Sequence, residues 1–164
     1  VVREGIDFGE ILTANYTMMN AYSVRTFGAE SLLPATTPFA PAEDATVDRS
    51  VFVPVVLEEV PTAGLLTDIN FLAVNPTTPV NLNRNRSREV NKHFLATDIL
   101  HLSNRAILDF GSPEVNPTYN KSACLVCHKV MDPVSGAYQN WPRNGGIQGF
   151  YDPLHPNAKP GCFP

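Results

Sequence analysis

A basic excess is the first thing this sequence lacks. Its 164 residues carry 12 Lys and Arg against 16 Asp and Glu, a net charge of −4. Nucleic acid or an anionic membrane surface as partner would call for clustered positive charge, so neither is expected. Long hydrophobic runs are missing as well. No stretch approaches the ~18 apolar residues that span a bilayer, and no secretory signal peptide opens the chain. Val1 is not an initiator methionine, so the expectation is a processed terminus or the first ordered residue of a longer chain. The ending at Phe163-Pro164 fits the second idea equally well. Cysteine is scarce: three thiols cannot close a disulfide framework, because one is always left over.

Proline, by contrast, is abundant. The 15 prolines exceed the usual share, and they divide the chain into short elements joined by ordered loop. A composition of 43% hydrophobic and 17% charged residues is that of a globular chain, long enough for a single domain spanning 1–164.

Hydrophobic periodicity and capping residues suggest the elements. Residues 7–28 read as two helical pieces. Asp7 caps the first, with Glu10 in a capping-box position, and Thr17 caps the second. Gly28 ends it, and Met18, Met19 and Tyr22 are read as core contacts. Residues 33–48 read as loop, 51–57 as an edge strand interrupted by Pro54, 65–74 as a second extended segment, and 75–85 as loop. Residues 88–107 are the longest uninterrupted helical candidate, apolar on most sides and therefore central.

The chemistry concentrates in residues 122–141. Residues 124–128 read Cys-Leu-Val-Cys-His, the C-x-x-C-H pattern of c-type haem attachment. Two thiols one helical turn apart can form thioethers with two vinyl groups on one porphyrin edge. His128, next in sequence, then projects its imidazole to the iron. The competing reading is zinc, held by Cys124, Cys127, His155 and Cys162. Its gap from Cys127 to His155 is longer than usual for a finger, and Pro156 and Pro160 stiffen the approach. If haem is attached, only Cys162 is left without a role. After the motif, Asp132 is placed to cap a new helix with Pro133 at its first position. Val134, Ala137, Tyr138 and Trp141 then recur at helical spacing, as an ordinary core helix or one packing on a porphyrin would.

The run from Cys124 to Pro133, followed by Gly136-Ala137-Tyr138-Gln139-Asn140, resembles the cytochrome c segment of the planctomycete-type c-haem proteins. In these multi-domain proteins of unknown function, CxxCH is followed, after two intervening residues, by Ile or Met and then Asp-Pro. The N-terminal Ile11-Leu-Thr-Ala-Asn-Tyr-Thr-Met-Met-Asn20, with Phe27-Gly28, is similar to their LLTADYTFVN segment. The stretch from Gly64-Leu-Leu-Thr67 to Val74-Asn-Pro76 resembles another of their blocks, and the helix after it occupies the matching place. This chain departs from the pattern around that helix, where Asn-Arg-Asn-Arg-Ser-Arg-Glu stands instead of Lys-Arg-Gly, and at Trp141-Pro142, where the family has Phe-Asp. The resemblance implies a c-type cytochrome within a larger extracytoplasmic, periplasmic bacterial protein.

The distal side of the iron is less defined. Electron-transfer haems are commonly six-coordinate, His/Met or His/His. No Met follows Met131, which is too close to His128 to reach the opposite face and is read as packing. The candidates are His93 and His101, then Met18, Met19 and His155. His93 and His101 share the predicted central helix, roughly 80° apart, so only one would face the site. A helix holds a ligand more rigidly than the proline-flanked loop of His155. Arg84, Arg86, Arg88 and Arg105 suit haem propionates, or equally a solvated charged loop.

The expected fold is therefore mainly α, a small, loop-rich, proline-rich c-type cytochrome domain with short extended segments. The expected function is that of a monohaem cytochrome with one covalent haem c, passing electrons to a redox partner protein or within a larger multi-subunit complex. A haem enzyme with an open, peroxidase-like iron site is the alternative, but the sequence singles out no catalytic acid or base. The zinc-stabilised structural module remains a further one.

Overall fold

A computed structural model of the chain describes residues 3–27, 49–57, 60–103, 117–141 and 151–152. About half of the described residues are helical and one sheet has two strands, so the architecture is mainly α and loop-rich. The chain divides into two compact units, Val1–Val74 with Asn144–Asp152 and Asn75–Arg143 with Pro153–Pro164.

The first unit begins with the short helix α1 (Glu10–Thr13). Asp7 does act at its start, but by accepting from the Gly9 amide at 2.6 Å in a turn rather than as the helix cap. Residues 17–19, expected to be helical, form strand β1 (Thr17–Met19). It pairs antiparallel with β2 (Val53–Val55), placing Met18 opposite Pro54. A two-stranded ribbon tolerates Pro54, which has no N–H to offer a ladder. Helix α2 (Ala21–Phe27) then starts one turn later than expected. Its cap is Asn20, not Thr17: the Asn20 carboxamide accepts from the Ser23 amide at 2.7 Å, and the Ser23 hydroxyl accepts from the Asn20 amide at 2.9 Å. This reciprocal arrangement satisfies two amides that the helix leaves unpaired.

Residues 65–74, expected to be extended, are helical. A 3-10 turn (Gly64–Thr67) leads into α3 (Ile69–Val74). Asp68 between them accepts from the Asn70 amide at 2.9 Å, the kind of side-chain turn that starts a helix. Gly64 is fixed by geometry: its φ is +48°, its amide donates to Ala14 at 2.8 Å, and an added Cβ would overlap the Ile11 carbonyl. Met19, Val24, Val55, Leu57, Ile69 and Leu72 are buried in this unit. Met18 and Tyr22, both expected in the core, are exposed instead.

The second unit is built on α4 (Arg84–Phe94) and α6 (Ser122–Ala137), with the short α5 (Pro117–Asn120) before α6. The central helix starts four residues earlier than the sequence suggests and stops well before residue 107. The backbone closes after Phe94. Ala96 takes a left-handed φ of 51°, and the Leu95 and Thr97 amides both return to the Asn91 carbonyl, at 3.1 and 3.0 Å. Asp98 then caps a separate 3-10 turn (Ile99–His101) by accepting from the Leu100 amide at 3.1 Å. His93 and His101 therefore do not share a helix.

Helix α4 buries Arg86, Ser87, Val90 and Asn91, a helical period made largely of polar residues. Ser87 and Ser135 are both fully buried, and both hydroxyls donate to the Met131 carbonyl, at 2.7 and 2.9 Å. Small side chains let α4 and α6 approach, and their hydroxyls tie the contact. The Arg86 guanidinium, wholly removed from solvent, donates to the Asn75 carbonyl at 2.8 Å, to Asn83 Oδ1 at 3.1 Å and to the Trp141 carbonyl at 3.3 Å. Its carbon lies 5.8 Å from the centre of the Tyr138 ring. Burial holds its pKa down at about 10.

Candidate functional site

Helix α6 carries the whole Cys-Leu-Val-Cys-His motif within one unbroken run, starting two residues before Cys124. No side chain caps its first turn; the Lys121 carbonyl accepts from the Cys124 and Leu125 amides at 3.0 and 2.9 Å. At helical pitch Cys124, Cys127 and His128 span a sector of about 100°, on the side that turns toward α4 and the 3-10 turn. All three are partly buried. The Cys127 thiol donates to the Ile99 carbonyl at 3.4 Å, which joins α6 to that turn. Burial, reinforced by the neighbouring Cys124, pushes the Cys127 thiol up, so it is protonated at neutral pH in the free chain.

His128 is held through one nitrogen. Its Nδ1 lies 3.1 and 3.0 Å from the two oxygens of Asp132, one helical turn on. Asp132 in turn accepts from Arg84 Nε at 3.1 Å, across from α4. These side chains are largely shielded, with exposures of 18% for His128, 15% for Asp132 and 23% for Arg84. A donor at Nδ1 fixes the tautomer and leaves the Nε2 lone pair available to a metal. The expected role of Asp132 as the cap of a new helix is thus corrected. Helix α6 runs through it to Ala137 with Pro133 inside. Pro133 gives up one helix hydrogen bond, while the Asp132 carboxylate is committed to His128 and Arg84.

A porphyrin attached here would require both thiols on one side, a free imidazole nitrogen and apolar surroundings. The two cysteines and His128 meet the first two requirements. For the third, Leu125 beside them is partly exposed, as are Leu100 and Leu102 at the segment that packs against Cys127. The residues present therefore fit haem c. Among the described residues no group of three or more His, Cys, Asp or Glu side chains is arranged to hold a metal ion. His155 and Cys162, needed for the zinc alternative, lie outside the described residues, as does Arg105.

The distal candidates fall in different places. His93 is mostly exposed near the end of α4, with Nε2 2.9 Å from Glu89 and its ring edge-on to Phe94. His101 is exposed on the 3-10 turn, two residues from the carbonyl that contacts Cys127. Met18 and Met19 are on β1 of the first unit, Met18 half exposed and Met19 buried. The arginines proposed for propionates have other partners. Arg84 holds Asp132, Arg86 is sealed in its carbonyl cage, and Arg88 grips both oxygens of Asp98 at 2.9 Å. Tyr138 and Trp141 are both buried, as a core-facing pattern would have them, with the Tyr138 ring against the Arg86 guanidinium and the Trp141 carbonyl accepting from it. Sequence reasoning missed the His128–Asp132 pair, although its four-residue spacing within a helix was a readable signal.

Comparison with protein-family models, with curated proteins and with solved structures found no match to this chain. No described helix is long and apolar enough to cross a membrane.

Proposed function

We propose that the chain is a monohaem c-type cytochrome of an extracytoplasmic bacterial redox complex, with haem c attached through Cys124 and Cys127 and ligated by His128. The observation that carries this reading is the grouping of both thiols and the imidazole on one side of α6, with His128 Nδ1 engaged and Nε2 without a hydrogen bond among the described residues. Covalent attachment suits a unit that buries a polar group of Arg86, Ser87, Asn91 and Ser135 among its described residues. His101 is the preferred distal ligand, because its segment packs on Cys127 whereas His93 is already paired with Glu89. Electrons would pass to a redox partner protein or to a neighbouring haem of a larger complex.

The test is a pyridine haemochrome spectrum of the full chain produced with a c-type maturation system. A c-type absorption band is expected; its absence, with zinc found in the purified protein, would replace this reading with the zinc module. The ferric spin state then divides the haem functions. A low-spin signal supports electron transfer, and a high-spin signal would turn the assignment to an open-site haem enzyme.

A further inference from the structure

The His128–Asp132–Arg84 chain is more than a support for one helix. A metal-ligating imidazole usually donates its second N–H to some acceptor, and the acceptor's charge sets how strongly the ring donates through the other nitrogen. A neutral carbonyl polarises the ring modestly. An ionised carboxylate does so more strongly, because a charge-assisted hydrogen bond is roughly twice as strong as a neutral one. Here the acceptor is a carboxylate, both of whose oxygens lie within 3.1 Å of Nδ1. Only 15% of its side chain is exposed, so water does little to dilute the effect. On the same carboxylate sits Arg84, whose Nε donates at 3.1 Å. The guanidinium draws part of the carboxylate's negative charge away from the ring.

We infer that Asp132 is a positioning residue that makes His128 Nε2 an unusually strong axial donor and lowers the reduction potential of the attached haem, with Arg84 moderating the effect. This inference rests on the cytochrome reading above and concerns a property that reading leaves open. Its logic is one of differential stabilisation: greater donation from Nε2 favours the ferric over the ferrous state. Helix capping does not explain the acid at position 132, since α6 neither starts nor ends there.

The test is an equilibrium redox titration, with ferric EPR, of the haem-loaded full chain and three variants. Asp132→Asn should raise the midpoint by at least a tenfold change in the ferric-to-ferrous equilibrium, ~59 mV for a one-electron couple. It should also shift the ferric EPR signal, because the axial field weakens. Asp132→Glu, which keeps the charge and the acceptor, should stay close to wild type. Arg84→Gln should move the midpoint the other way by a smaller amount, and it carries the test if Asp132→Asn does not fold. A midpoint unmoved in Asp132→Asn, or moved without any EPR change, would overturn the inference and reduce Asp132 to a distant charge. Failure to attach haem in the wild-type chain would instead defeat the cytochrome reading, so the two failures are told apart.

Discussion

The two units of this molecule hold themselves together by different means. In the first, the buried side chains are almost all apolar: Met19, Val24, Val55, Leu57, Ile69 and Leu72, with Asn20 as the polar exception among the described residues. In the second, polar groups share the most deeply buried described positions: Arg86, Ser87 and Ser135 beside Ile99, then Asn83 and Asn91, with Tyr138, Trp141 and Val90 as the other buried apolar companions. An apolar core is stabilised by area removed from water and is tolerant of detail. A polar core is stable only if every donor and acceptor finds its partner, and it fixes one arrangement of α4 against α6. Such rigidity suits an attachment site. On the cytochrome reading, the porphyrin would add apolar volume to this unit.

This contrast can be broken or sharpened by experiment, and the largest effect should come from removing the cofactor. Replacing both thiols, Cys124→Ala with Cys127→Ala, should abolish covalent haem. It should also raise amide exchange on α4 and α6 by at least about tenfold, while α2 and α3 stay unchanged. Equal loosening of both units would erase the distinction.

Next in size is Arg86→Met. It removes the donor that the Asn75 and Trp141 carbonyls and Asn83 Oδ1 share. We expect a loss of ~4 kcal/mol in denaturant unfolding. Arg86→Lys should recover little, because a point charge cannot reproduce the planar fork. A Met variant as stable as wild type would show that the polar core is dispensable.

In the first unit, Leu72→Ala should cost ~3 kcal/mol through cavity formation, since Leu72 is 1% exposed. Leu72→Met should cost less than ~1.5 kcal/mol. That forgiveness toward a change of shape is what the polar core should not show.

The smallest effect is confined to acid. The Arg88 guanidinium, helped by the Leu100 amide, holds the Asp98 carboxyl well below its ordinary value of 3.8. A carboxyl depressed in the folded state adds stability that is fully present above its unfolded pKa and is lost as pH falls toward the folded one. Wild type should therefore lose this contribution below about pH 4. Arg88→Met should be less stable at neutral pH and show a shallower decline in acid unfolding. An unchanged slope would mean the clamp between α4 and the 3-10 turn carries no stability.

The same contrast explains how much of the structure was legible beforehand. The helical turn of the motif and the edge strand at Val53–Val55 were readable, because a spacing rule and a β-branched run mark them, whereas the continuation of α6 through Asp132 and Pro133 was not. The start of α4 was not, since its buried face is Arg86, Ser87, Val90 and Asn91 and a search for hydrophobic period passes over polar residues. Its end was hidden for the opposite reason. Apolar residues continue past Phe94, but Ala96 turns left-handed and the chain closes. Residues 65–74 look extended until Asp68 is recognised as the turn that starts α3. Asp132 illustrates the limit at the site. Asp before Pro is a good helix start in isolation, and only the neighbouring His128 and Arg84 show that the carboxylate is used elsewhere.

The central claim is covalent haem on α6, and peptide mass analysis of the full chain after production with a c-type maturation system tests it most directly. The account predicts that the proteolytic fragment containing Cys124, Cys127 and His128 carries one haem, and that the mass increase disappears in the double Cys→Ala chain. The same fragment recovered with two free thiols, from protein that matured alongside a correctly loaded control cytochrome, would contradict it.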